Sequence, residues 1–430
     1  MSTSEGNNDS PLVLTEAGRQ SYWLPSGENV GFIATGQDTG GQFSLFNFSL
    51  QPGTGPSPHI HHNEDEAFYI LDGNVSFQMH DDESFTATSG SFLYLPKEHI
   101  HSFRDLGPTP ARFLDIAVPS GIDKLFAALG SPATGTSPPP PPPLDPTFFA
   151  NLSTISSQHG VDLTNSLIFT APEYSVNNNS TSTVPISVAR TGSTAGAVSA
   201  NITLSGGTTT QSGNGDTKIP INFADGQSLQ TVNVPINPAN QAINLALTDL
   251  RGDLTPALLD DKAVLKIGGD SGNSLNLQEL YNLPLMRPDA QRQSFSLEGG
   301  TATVIATSND TKGHFSLLDV SLPGQTTGPE PYIQHQEDQG FYVLDGNVSF
   351  QLGNQTIDAT PGTFVYTPKD DPYTFGNLGT TPARLLLLSS TPTAVPEPIF
   401  TWSLLPLVAW SVISQRKNKL KKQKLACRQH

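Results

Sequence analysis

Cysteine is almost missing from this 430-residue chain: the only one is Cys427, close to the carboxyl end. A lone thiol excludes internal disulfides and thiolate zinc sites, and cysteine usage therefore says nothing about the compartment. Charge is also scarce, at 14% of residues, while 38 Gly and 36 Pro make up a large share. That balance excludes a long-helix or coiled-coil protein and favours turn-rich β structure. Basic residues number 22 against 39 acidic, a net charge of -17. Seven of the basic residues stand from Arg416 onward and no acid follows Glu397, so residues 1–397 carry 15 basic and 39 acidic side chains, or -24. A body so acidic repels phosphate backbones, which excludes nucleic acid as the expected partner. The length fits two to four domains, since single cores seldom grow past about 250 residues.

What is present is, first, an internal repeat. Residues 68–78 read FYILDGNVSFQ and residues 341–351 read FYVLDGNVSFQ. Arg19-Gln20-Ser21 recurs as Arg292-Gln293-Ser294, FSL at 43–45 recurs at 315–317, and TPAR at 109–112 recurs at 381–384. Each copy alternates short runs of Phe, Val, Ile and Tyr with Gly, Pro, Asn or Asp, the pattern of antiparallel hairpins and a small β-barrel. Between the copies, six prolines, Pro138 to Pro143, favour a stiff polyproline spacer. A short helix is expected over 145–160. Residues 168–270 then become rich in Thr, Ser, Asn and Val with period-2 alternation, as in VPISVAR and QTVNVPI, which predicts a β-sandwich.

Six of the ten histidines, 59, 61, 62, 80, 99 and 101, fall within 43 residues of the first copy. His59 and His61 stand two apart, so on an extended strand both leave the same face. Glu66, Phe68 and Ile70 share a face of the next strand, and a carboxylate entering an apolar barrel is costly unless a cation compensates it. His101 opens a later strand with Phe103 on its face. Three imidazoles and a carboxylate suit one divalent transition metal, Fe, Mn, Ni, Co, Cu or Zn. Phe68, Ile70 and Phe103 are inward-facing and are expected either to line a pocket or to pack as ordinary core. His62 and His99 sit on turns beside ligand positions and read as solvated, as does His80 beside Asp81 and Asp82 at a hairpin tip.

At these residues the sequence resembles the cupin superfamily. Gly53 or Gly55, His59, His61, Glu66 and Gly73 match its first motif; Gly90, Pro96 and His101 match its second, with Glu98 where glycine is common and Asp105 where asparagine is common. The wording of residues 31–118 is most similar to small cupins grouped with quercetin 2,3-dioxygenases. The resemblance implies a double-stranded β-helix, or jelly roll, with His59, His61, Glu66 and His101 as metal ligands and Glu66 also as a catalytic base. In the second copy Tyr332, Gln334, Gln339 and Tyr373 occupy the ligand positions. These neutral groups can satisfy one another without an ion, so a metal-free barrel that pairs with or props up the first is expected.

The middle segment resembles a Calx-beta domain through FTAPEYSVNNN, VPISVARTGSTAGAVSANITL and AVLKIGGD. Where calcium-binding members carry acids, Asn178-Asn179 and Asn237-Pro238-Ala239-Asn240 stand here, which disfavours calcium. The end of the chain is similar to a PEP-CTERM sorting signal: Val395-Pro396-Glu397-Pro398, sixteen uncharged residues from Ile399 to Ser414, then a basic cluster. It implies membrane or sorting machinery as a partner and the cell envelope or exterior as the location. No secretory leader is visible, because Glu5, Asp9 and Glu16 interrupt the first thirty residues.

The expected architecture is all-β: a metal-binding cupin at 12–130, a Pro-rich linker and short helix at 131–165, and an immunoglobulin-like Calx-beta sandwich at 166–270. A linker at 271–290, a degenerate cupin at 291–392 and a C-terminal apolar helix within a sorting segment at 395–430 complete it. The leading functional expectation is dioxygenase-like oxidation of a small flavonol- or enediol-like substrate at the first barrel. Two others stand beside it: a non-catalytic surface or matrix protein with the sandwich as spacer, and a cupin isomerase or decarboxylase. Oligomeric state is left open.

Overall fold

The computed structural model describes residues 10–79, 83–135, 139–140, 145–176, 183–205, 217–236, 242–267, 285–286, 288, 292–328 and 330–390. The tail at 395–430, His80 and both asparagine segments of the middle domain lie outside them. The described residues are mostly β, with two helices, Asp123–Leu129 and Pro146–Gln158. Among the described residues, no helix is long and apolar enough to cross a membrane. The chain divides into two compact units, one of Arg19–Gly36 and Phe43–Asp289, the other of Met1–Gly18, Gln37–Gln42 and Ala290–His430.

The first unit contains the first barrel. One sheet runs Ser131–Pro132, Ser21–Trp23, Asn29–Ala34, Ser44–Leu50, Ala111–Val118, Asp65–Asp72 and Phe92–Leu95. The facing sheet runs Val161–Leu163, His59–His61, His101–Arg104, Asn74–Met79, Glu83–Thr88 and Leu285–Met286. Period-2 alternation sends aromatics inward from several strands, and these interlock: Phe48 stacks on Phe113 at 5.0 Å, with Phe68 and Phe103 edge-on against Phe113 at 5.3 and 5.2 Å. Each such buried ring contributes about 1.5–3 kcal/mol, and together they fill the barrel interior with apolar side chains.

The same unit holds the sandwich. Three strands, Leu167–Phe169, Thr183–Arg190 and Leu229–Pro235, face five, Glu173–Val176, Lys262–Ile267, Ala242–Arg251, Val198–Ser205 and Thr217–Phe223. The alternation read in VPISVAR is seen directly, with Val184, Ile186 and Val188 buried in its core. The helix Pro146–Gln158 starts where Asp145 accepts the Phe148 N–H at 2.8 Å and Pro146 fills the first helical position.

The second unit contains the second barrel, with sheet order Leu12–Leu14, Phe364–Thr367, Asp338–Asp345, Ala383–Ser390, Phe315–Leu322, Gly300–Ala306 and Ser294–Leu297. Tyr332–Ile333, Pro372–Gly376, Val348–Leu352 and Gln355–Ala359 form its other sheet. Leu12–Leu14, grouped above with the first barrel by sequence order, is an edge strand here, with Leu12 opposite Tyr366 and Leu14 opposite Phe364. A three-residue strand buries little by itself and goes to whichever open edge its apolar side chains fit. The segment 37–42 follows it: Gln42 bonds Asp338, and Ser390 Oγ donates to Gln42 Oε1 at 2.6 Å.

Candidate metal centre

His59 and His61 alternate with the half-buried Ile60, and both imidazoles turn inward. His101 lies directly opposite His59 in the adjacent strand. Glu66 comes from the other sheet, opposite Leu95 and Ala117. The approach to His59 needs Gly55, because a Cβ there would stand 2.0 Å from the Phe103 carbonyl oxygen of the crossing strand. The four side chains converge, all buried, with one donor atom from each lying within 4.8 Å of every other. Ring centroids are 5.0 Å apart for His59 and His61, 4.3 Å for His59 and His101, and 5.3 Å for His61 and His101.

Each imidazole is oriented through Nδ1. His59 Nδ1 donates to the Ser57 carbonyl at 2.8 Å, His101 Nδ1 to the His99 carbonyl at 3.1 Å, and His61 Nδ1 to Glu64 Oε1 at 3.3 Å. With the proton placed on Nδ1 by these acceptors, Nε2 of each ring carries a lone pair toward the centre. His101 Nε2 and Glu66 Oε2 are 2.9 Å apart but poorly aligned for a hydrogen bond, and both buried atoms lack a partner. Two buried acceptors this close repel each other unless a proton or a metal ion stands between them. Donors about 2.0–2.2 Å from one ion lie within roughly 4.4 Å of each other, so the cluster needs only a few tenths of an ångström of closure. Nitrogen and carboxylate donors without thiolate suit the centre to a single divalent transition metal.

Electrostatics divides the carboxyls. Burial alone would raise Glu66, but His61, His101 and His59 outweigh it and draw the carboxyl down to about 2. Burial, then Glu66 and Glu64, push Asp115 well above the usual carboxylate range. Burial, with His101 and His61 beside it, holds His59 well below the usual imidazole range. His61 is raised, because Glu66 and Glu64 outweigh its burial.

A cavity of about 500 Å³ opens from this cluster, with His59, His61, Glu66, Asp115 and Phe103 among its walls. Phe68 and Ile70 do not line it. They are sealed in the apolar core beneath, so of the three pocket expectations only Phe103 reaches the cavity. His62 lies outside the cluster, exposed between Glu98 at 2.9 Å and Asp162 at 3.0 Å, and His99 Nδ1 bonds the Lys97 carbonyl at 3.0 Å. Glu64, Glu28 and Asp115 were not singled out from the sequence. Asp115 had a readable signal: it is the only charged residue facing inward in the otherwise apolar run FLDIAV, and the second copy has Leu387 at the matching place.

In the second barrel the two tyrosines among the equivalent side chains bond each other, while Gln334 Oε1 accepts the Gln336 N–H at 3.3 Å and the buried Gln339 Oε1 has no partner. The Tyr332 and Tyr373 hydroxyls are bonded, with ring centroids 4.6 Å apart, and Gln339 Nε2 donates to Ser389 Oγ at 3.1 Å. No second cluster of metal-ligating side chains occurs among the described residues.

Residues 46–117 and 318–389 each match the cupin domain family. The chain carries two cupin domains. The chain is similar to quercetin 2,3-dioxygenase of Bacillus subtilis (strain 168), at 28% identity over 125 residues, 29% of this chain and 36% of that protein. Quercetin 2,3-dioxygenase of Aspergillus japonicus is 30% identical over 158 residues, 34% of this chain and 44% of that protein. The chain thus spans less than half the length of either curated relative. Among solved structures, oxalate decarboxylase from Bacillus subtilis aligns over 90% of this chain and 78% of its own, at 12% identity and a TM-score of 0.43.

Proposed function

We propose that the first cupin barrel is a metal-dependent oxidation site for a small organic substrate, dioxygenase-like, with flavonol- or enediol-like compounds as the substrate class. The observation that carries this reading is the buried donor set of His59, His61, Glu66 and His101, three of which, His59, His61 and Glu66, line an apolar cavity. When bound, a divalent transition metal supplies Lewis acidity and redox capacity at that point. His59, His61 and His101 hold it through Nε2 while their Nδ1 bonds fix the rings. Glu66, kept ionised, accepts the proton of an acidic substrate hydroxyl; Asp115, kept protonated on the neighbouring strand, is the complementary acid. Phe103, Phe48 and Phe126 exclude water around the reacting centre. The names of the two curated relatives support the oxidative form of this reading, with dissolved oxygen as co-substrate.

Oxygen uptake by the metal-loaded full chain against a panel of phenols and enediols tests it. Uptake with at least one compound, reduced by at least about 100-fold in Glu66→Gln, is the expected result. No uptake with Fe, Mn, Ni, Co or Cu removes the oxygenase reading and leaves the oxygen-independent isomerase or decarboxylase. We further propose a Calx-beta-like identity for the sandwich, and an envelope location directed by the tail at 395–430.

A further inference from the structure

We infer that the inserted sandwich and the helix before it form the substrate-selecting wall of the first barrel's site, admitting an uncharged planar molecule and turning away a small dicarboxylate. This rests on the metal site proposed above and concerns what reaches it. The cavity of about 500 Å³ is lined by His59, His61 and Glu66, and also by Phe148 and Leu152 of the helix and Ile168 and Phe169 of the first sandwich strand. A cavity of this size buries a ligand of several rings, and a two-carbon diacid would leave most of it unfilled.

The wall is held in place by specific contacts. Val161–Leu163, between helix and sandwich, adds a strand directly to His59–His61, with Val161 opposite His61 and Leu163 opposite His59. Thr164 Oγ1 donates to the Pro58 carbonyl at 3.0 Å. The buried Gln78 reaches from the barrel to the sandwich loop, donating to the Pro256 carbonyl at 2.8 Å and accepting from the Leu258 N–H at 2.9 Å. Arg104 pairs with the buried Asp260 of the same loop. The repeat shows that these contacts are particular to the first copy: Gly376 stands where Arg104 does, and Gln351, equivalent to Gln78, is exposed.

Charge sets the class of ligand. Among the described lining residues Arg104 is the only Lys or Arg, and its guanidinium is taken up by Asp260 and by the Gly53 carbonyl at 2.7 Å. Glu28, Glu66, Asp115 and Asp260 are the acids of the same cavity. A dicarboxylate finds no free Lys or Arg there, whereas a flat aromatic surface meets Phe148, Phe169 and Ile168.

Calorimetric titration of the metal-loaded full chain under anaerobic conditions tests this, with quercetin, catechol and oxalate as probes and metal content measured for each preparation. Quercetin is expected to bind more tightly than oxalate. Ile168→Trp, which fills the sandwich side of the cavity, is expected to weaken quercetin by about tenfold or more while catechol stays within about threefold; Phe148→Ala is expected to weaken quercetin by about fivefold, and metal content is unchanged in both. Oxalate binding tighter than quercetin, or both variants within about twofold of wild type on quercetin, overturns the inference. Wall-sensitive binding without oxygen uptake keeps the wall and removes the oxidation; oxygen uptake insensitive to both variants does the reverse.

Discussion

Asp105 and Asn377 show how much one atom changes at equivalent positions of the two barrels. Asn377 uses its whole amide: Oδ1 accepts the Gly379 N–H at 3.0 Å, and Nδ2 donates to the Leu322 and Thr381 carbonyls at 3.1 and 2.7 Å. Asp105 Oδ1 accepts the Gly107 N–H at 2.7 Å, but its buried Oδ2 has no partner, and burial pushes the carboxyl up to about 7. A carboxyl raised in the native state binds more protons there than in the unfolded chain, so stability falls as pH rises from about 4 to about 7. Asp105→Asn is expected to raise stability near pH 8 by about 1–3 kcal/mol, with a smaller gain at pH 5 and little change at or below about pH 4, as read by thermal melts across pH. An unaltered pH profile contradicts this. The four metal-cluster positions were legible from the sequence because strand alternation fixes which side chains turn inward. Which inward side chains reach the cavity was not: Phe68 and Phe103 have the same parity, and only the depth of each along the barrel separates them.

Among the elements, the sandwich was legible as a sandwich, because its long strands carry clear alternation, but it read as a spacer. Its docking depends on segments too short for any periodicity, the three residues Val161–Leu163 and the loop at 256–260, and on hydrogen bonds made across more than 150 residues. The same shortness hid the pairing of Leu12–Leu14 with Phe364–Thr367. The repeat supplies a matched pair of variants. Gln78→Ala removes both bonds of a buried amide to the sandwich loop and is expected to destabilise the protein by about 1–3 kcal/mol in urea unfolding. Gln351→Ala removes an exposed amide and is expected to stay within about 0.5 kcal/mol. Equal effects contradict a docked sandwich.

Across the molecule, two copies of one domain have taken different chemistry. The first keeps three inward imidazoles and an ionised carboxylate around a point suited to a cation. The second has phenols, glutamines and Leu387 at the corresponding places and a tyrosine pair joined by its own hydrogen bond. The most direct test is metal content per chain in protein purified from its own host, wild type beside His101→Ala and Tyr373→Phe. One divalent transition ion per wild-type chain, lost in His101→Ala and kept in Tyr373→Phe, is the predicted result. No ion, two ions, or an ion retained after His101→Ala contradicts a single metal centre in the first barrel.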